Sequence, residues 1–118
     1  MKKSIIAIAI AAVASTAYAD NTVVGTYQVV HGDKITVSGS GNTSIGTDLT
    51  NNGLSNTAFG IHNTVNGKDS VVGGQRSEVK GDMSVAIGHH AKALESMNTA
   101  VGSEASAIGQ SSTAIGKG

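Results

Sequence analysis

The amino-acid sequence predicts an all-β protein, a parallel β-roll or β-solenoid built from coils of about 14 residues. Three observations predict it: glycines on a ruler of period seven, a short phrase that recurs at every second mark, and a side-chain inventory too slight for a compact globule.

Counting in sevens from Gly25 to Gly116 visits 14 positions, and 13 of them are glycine; Glu95 is the exception. Only Gly41, Gly73 and Gly118 lie off the ruler. A disordered or merely flexible segment has no reason to keep register over such a distance. A period of seven also suggests a coiled coil, but glycine costs a helix interior roughly 1 kcal/mol per occurrence, and the large apolar residues a helical seam needs are missing. Glycine's distinctive property is a positive φ, so the ruler predicts regular corners at Gly46, Gly53, Gly60, Gly67, Gly74, Gly81, Gly88, Gly102, Gly109 and Gly116.

Between these marks the chain favours extended backbone. Asn42-Thr43-Ser44-Ile45, Asn56-Thr57-Ala58-Phe59, Ser70-Val71-Val72, Ser84-Val85-Ala86-Ile87, Asn98-Thr99-Ala100-Val101 and Ser112-Thr113-Ala114-Ile115 precede alternate glycines. Their β-branched residues and alternation suit short strands with one buried face. The intervening segments, such as Thr64-Val65-Asn66 and Glu78-Val79-Lys80, vary the theme, so one coil holds two strands and two corners. Six or seven such coils, roughly 4.8 Å apart, make a rod of order 30 Å. Small Ala and Val residues are expected to point inward. Asn52-Gly53 and Asn66-Gly67 are also type I′ hairpin dipeptides, but a hairpin meander does not require Ser or Asn four residues before every second glycine.

Residues 1–19 read as a cleaved leader. Lys2 and Lys3 precede the apolar run Ile5 to Val13, and Ala17-Tyr18-Ala19 supplies the small-x-small signature of signal peptidase, placing cleavage between Ala19 and Asp20. Export through the Sec pathway follows. The remainder holds six basic and eight acidic side chains, which gives no electrostatic footing for nucleic acid. It has no cysteine, and its only aromatic residues are Tyr27 and Phe59. A chain so short of staples and bulk is expected to gain stability by stacking and by association with further copies.

Ser84-Val85-Ala86-Ile87-Gly88 followed by Ala91 resembles the head-domain repeat of trimeric autotransporter adhesins, the YadA-like family, which reads approximately Asn-Ser-Val-Ala-Ile-Gly-x-x-Ala or Ser. Asn98 to Gly102 with Ala105 is similar, and the resemblance extends from Asn42 to Gly116. It implies a left-handed roll, a homotrimer, display at the bacterial cell surface, and binding of host extracellular-matrix proteins such as collagen. Residues 42–118 are then the head repeats. Residues 20–41, which fit the motif poorly, are expected to form an N-terminal cap or first irregular coils. The family continues into a stalk and a membrane anchor, whereas this sequence stops at Lys117-Gly118. A truncated adhesin or a stand-alone module, secreted or periplasmic if complete, is the expectation.

No arrangement for catalysis stands out, and the chain reads as a non-enzyme. His31, His62, His89 and His90 are read as solvated residues, with no metal site or cofactor expected, and there is no Gly-x-Ser-x-Gly elbow. Binding remains, because repeated small polar groups let an extended ligand touch many rungs weakly. The candidate ligand surface is Asn56, Thr57, Ser84, Val85, Asn98, Thr99, Ser112 and Thr113; the structural reading of the same residues is stacking alone, with Asn and Ser ladders satisfying corner backbone groups and Val and Ile filling the interior. A rival reading is a stand-alone structural or ice-binding solenoid; Thr43, Thr57, Thr99 and Thr113 share a phase, although Val71 and Val85 interrupt the column.

Gly88→Val is predicted to block folding, because a β-branched residue at positive φ is strongly disfavoured. Glu95→Gly is tolerated or stabilising if the ruler applies there, whereas clear destabilisation marks a bulge or inserted turn between Ala93 and Met97. Unfolding followed by circular dichroism reads both.

Overall fold

The computed structural model describes residues 20–118 and the two-residue strand Ala14–Ser15. Apart from that strand, the leader expected over residues 1–19 and its cleavage after Ala19 lie outside the described residues. The strands run β1 (Ala14–Ser15), β2 (Thr22–Thr26), β3 (Val29–Asp33), β4 (Thr36–Ser40), β5 (Thr43–Thr47), β6 (Thr50–Leu54), β7 (Thr57–Ile61), β8 (Thr64–Lys68), β9 (Val71–Gln75), β10 (Glu78–Val79), β11 (Val85–His89), β12 (Lys92–Ala93), β13 (Thr99–Val101), β14 (Ser106–Ala107) and β15 (Thr113–Ile115). Odd strands form one parallel sheet and even strands another, each in simple sequential order. All pairings are parallel, which excludes the hairpin meander. The register places Thr43 on Thr57 and Val85 on Thr99, so the chain climbs one coil every 14 residues.

Period-two alternation explains the interior. The second residue of each strand points inward: Val30, Ala58, Val72, Ala86 and Ala100 from the odd sheet meet Val23, Val37, Val65, Val79, Ala93 and Ala107 from the even sheet. The filling thins from Val to Ala along the roll. One rung departs from the expected apolar interior, because Ser44 and Asn51 occupy these inward positions and are fully buried. Asn51 Nδ2 donates to Ser44 Oγ at 2.9 Å and to the Thr43 carbonyl at 3.1 Å, while Asn51 Oδ1 has no partner. An unmet buried acceptor of this kind costs about 1–3 kcal/mol.

Residues 20–41 form rungs of the same construction as the rest. Strands β2, β3 and β4 are five residues long and pair in register with the coils above them. Residues read from the sequence as an N-terminal cap or first irregular coils thus carry the same regular strands as the coils above them. Gln28 stands where later coils carry Asn or Ser, and its longer amide fills the same buried place.

The glycines mark something other than the bends themselves. In a five-residue strand the ruler glycine is the fourth residue, and the left-handed residue comes two positions later, at Asp48 (φ 59°), His62 (φ 60°), Arg76 (φ 58°) or His90 (φ 62°). Most bends are thus made by non-glycine residues whose side chains face outward. Glycine is required by proximity. A Cβ built on Gly88 (φ 147°) would sit 2.2 Å from the Gly102 carbonyl oxygen, one coil above. Positive φ and close stacking therefore act together there.

The ruler's exception has a local cause. The even strands β10, β12 and β14 shrink to two residues, and the chain turns at Ser96–Met97 after Glu95. Glu95 does not adopt a positive φ, and neither do Gly81 and Gly109 in the equivalent places. A glycine at this position relieves no strain. Glu95→Gly is accordingly expected to lower stability by about 0.5–1 kcal/mol, through added freedom of the unfolded chain, read as the shift of the urea midpoint.

Candidate functional site

The roll presents two outer faces and a buried polar seam between them. The seam is a column of one residue per coil: Gln28, Asn42, Asn56, Ser70, Ser84 and Asn98, all buried, and the half-buried Ser112 at its end. Each side-chain oxygen accepts the backbone N–H of the next member. Asn56 N donates to Asn42 Oδ1 at 2.9 Å, Ser70 N to Asn56 Oδ1 at 3.0 Å, and Ser84 N to Ser70 Oγ at 3.0 Å. The donor end reaches a backbone carbonyl of the next coil, as in Asn56 Nδ2 to the Gly67 oxygen at 2.7 Å and Ser84 Oγ to the Glu95 oxygen at 2.9 Å. A second, interrupted column runs through Asn21, Asn63 and Ser77, with the apolar Ile35 and Leu49 between them.

This seam divides the sequence-predicted ligand residues. Asn56, Ser84 and Asn98 are buried, with their polar groups committed to the ladder, and Ser112 accepts a place in it through its N–H to Asn98 Oδ1 at 3.0 Å. Thr57, Val85, Thr99 and Thr113 face outward on the odd sheet, stacked in register. Solvent-facing residues are therefore every second member of the recurring phrase, which is the pleat's own period.

Beside them on the odd sheet stands a second outward column, Ile45, Phe59, Gly73, Ile87, Val101 and Ile115. Ile45 is 46% exposed, Phe59 40% and Ile115 73%. From β5 to β15 the first and third residues of these strands include no Asp, Glu, Lys or Arg. Gly73, which lies off the ruler, lies under the Phe59 ring: a Cβ there would approach Cζ to 2.2 Å. The pairing of the chain's single Phe with a glycine 14 residues later was the available signal in the sequence.

The even sheet is polar in its first half. Thr22, Thr36, Thr50 and Thr64 stack without interruption, and beside them Ser38 Oγ donates to Asn52 Oδ1 at 2.8 Å and Asn52 Nδ2 to Asn66 Oδ1 at 3.0 Å. Surface polar groups pair locally, with Lys80 Nζ 3.1 Å from Glu78 Oε2 and His62 Nδ1 3.0 Å from Asp48 Oδ2. No group of three or more metal-ligating side chains occurs among the described residues. The arrangement can offer extended, repeating surfaces.

Two copies of the YadA head domain repeat match the chain, at residues 80–95 and 99–118. They cover strands β11 to β15 and leave out residues 96–98, at the turn between β12 and β13. Neither a curated protein nor a solved structure matches the chain.

The ladder predicts a graded response. Asn56→Ala removes the acceptor of Ser70 N–H and the donors to the Asn52 and Gly67 carbonyls, leaving buried groups unpaired, and is expected to cost about 2–4 kcal/mol. Asn56→Ser, which imitates the Ser70 rung, recovers part of that loss. Urea unfolding of the two variants measures the difference.

Proposed function

We propose that this chain is a non-enzymatic, exported adhesin head that binds host extracellular-matrix proteins such as collagen. The observation that carries the reading is the coincidence of the two YadA head repeats with coils whose backbones stack glycine on glycine. A roll of this kind repeats its surface every coil, so a fibrous ligand meets the same weak contact several times and gains avidity through effective concentration.

In this reading the head is a homotrimer, and its chains meet through the uncharged odd sheet. Ile45, Phe59, Ile87, Val101 and Ile115 form an apolar band too continuous for a monomer's solvated surface. Burial of such a band is favourable at about 25 cal/mol per Å² of apolar area. Ligand contact then falls on whatever the assembly leaves open, the Thr-bearing even sheet foremost.

The uninterrupted stack Thr22, Thr36, Thr50 and Thr64 also supports a second reading, an ice- or crystal-binding solenoid. One set of measurements separates them. Residues 20–118 are expected to sediment as a trimer and to bind immobilised collagen, while Ile87→Asp sediments as a monomer and binds at least about tenfold more weakly through lost avidity. A wild-type monomer overturns the assembly, and absent collagen binding with inhibited ice recrystallisation selects the second reading.

A further inference from the structure

The bends that join odd strands to even strands place one outward residue per coil in a single column: Asp48, His62, Arg76, His90 and Glu104. Their backbones hold the column in register. His62 N–H donates to the Thr47 carbonyl at 3.0 Å, Arg76 N–H to Ile61 at 3.0 Å, His90 N–H to Gln75 at 2.9 Å and Glu104 N–H to His89 at 2.8 Å. Neighbouring members are therefore about 4.8 Å apart along the roll. His89, exposed at the end of β11, adds a third imidazole whose ring centroid lies 4.4 Å from that of His90. On the other flank Lys92 opens β12, and a shallow depression of about 220 Å³ lies between His90, Lys92, Glu104 and Ser106.

The charge of this ridge depends on its imidazoles. Three carboxylates, Asp48, Glu78 and Glu104, face or flank it, and three fixed cations, Arg76, Lys80 and Lys92, balance them. Lys34 and Asp33, one coil below Asp48, offset one another, and Lys68 and Asp82 lie 4.0 Å apart at the far end of the even strands. Imidazole is the side chain whose charge ordinarily changes between about pH 5 and 8. With the three histidines neutral the ridge sums to zero; with them protonated it carries three excess positive charges, His62 and His90 within the column and His89 beside it.

We propose that this ridge is an acid-gated binding site for an extended sulfated polysaccharide. A linear polyanion matches a row of cations repeated at one coil spacing, and the exposed Arg76 guanidinium supplies the fork that binds sulfate oxygens in pairs. The site is separate from the two sheet faces and does not depend on the matrix-protein reading. Carboxylates at both ends of the row, Asp48, whose Oδ2 lies 3.0 Å from His62 Nδ1, and Glu104, confine the cationic stretch to His62, Arg76 and His90.

Heparin is the probe, titrated calorimetrically into residues 20–118 at pH 5.5 and 7.5 in low salt. Binding at pH 5.5 at least about tenfold tighter than at pH 7.5, and weakened by added salt, is expected. A variant carrying His62→Asn, His89→Gln and His90→Asn keeps outward polar residues, with Asn suited to the left-handed bends, and is expected to lose the pH dependence. Arg76→Gln is expected to weaken binding at pH 5.5. Equal affinity at both pH values, no binding at pH 5.5, an unchanged triple variant that unfolds at the wild-type urea midpoint, or equal binding of polyglutamate overturns the proposal.

Discussion

The structure depends on how closely one coil's backbone lies on the next at the ruler glycines. At Gly32, Gly46, Gly60, Gly74, Gly88 and Gly102 the space for a Cβ is taken by the carbonyl of the glycine one coil above. No side chain fits, so the coils approach at backbone distance and their strands pair without a gap. A narrow interior follows, and small Val and Ala residues are enough to fill it. The poverty of large apolar residues, which argues against a globule, is what this spacing demands.

A cross-section so thin leaves backbone amides near the bends short of partners. The Gln28 to Ser112 column meets that need by giving each coil an acceptor for the next coil's N–H and a donor for a nearby carbonyl. Asn and Ser interchange because both carry an acceptor lone pair and a donor hydrogen on a short arm. Ile35 and Leu49 show the alternative in the second column, where apolar burial replaces the ladder. Stability is thus distributed coil by coil, each contributing a few weak terms through its nearest neighbours.

The same period sorts the exterior. Successive residues of a strand face opposite ways, so the odd sheet's outer columns gather Thr, Val, Ile and Phe while the even sheet gathers Thr, Ser and Asn. The bends add a third set of columns in which residue type is nearly free, because a left-handed bend that points its side chain to solvent limits the backbone more than the side chain. Charged and imidazole side chains accumulate there without disturbing the stack.

Fold class, coil length and strand positions were legible because glycine cannot be replaced where two backbones touch, and that exclusion writes a period directly into the chain. Part of the surface was legible too: Thr57, Val85, Thr99 and Thr113 face outward as their alternation requires. For Asn56, Ser84 and Asn98 the sequence left two readings open, ligand surface or a ladder serving corner backbone groups, since a polar residue looks the same in sequence whether it meets water or a buried amide. The bends at Asp48, His62, Arg76 and His90 left no residue signature, and nothing in the residue types of Ser44 and Asn51 marks them as core. The sequence by itself determined the repeat, because backbone contact tolerates one residue type. Tertiary structure alone decided which polar groups are spent inside and which charges align, because those depend on neighbours 14 residues away.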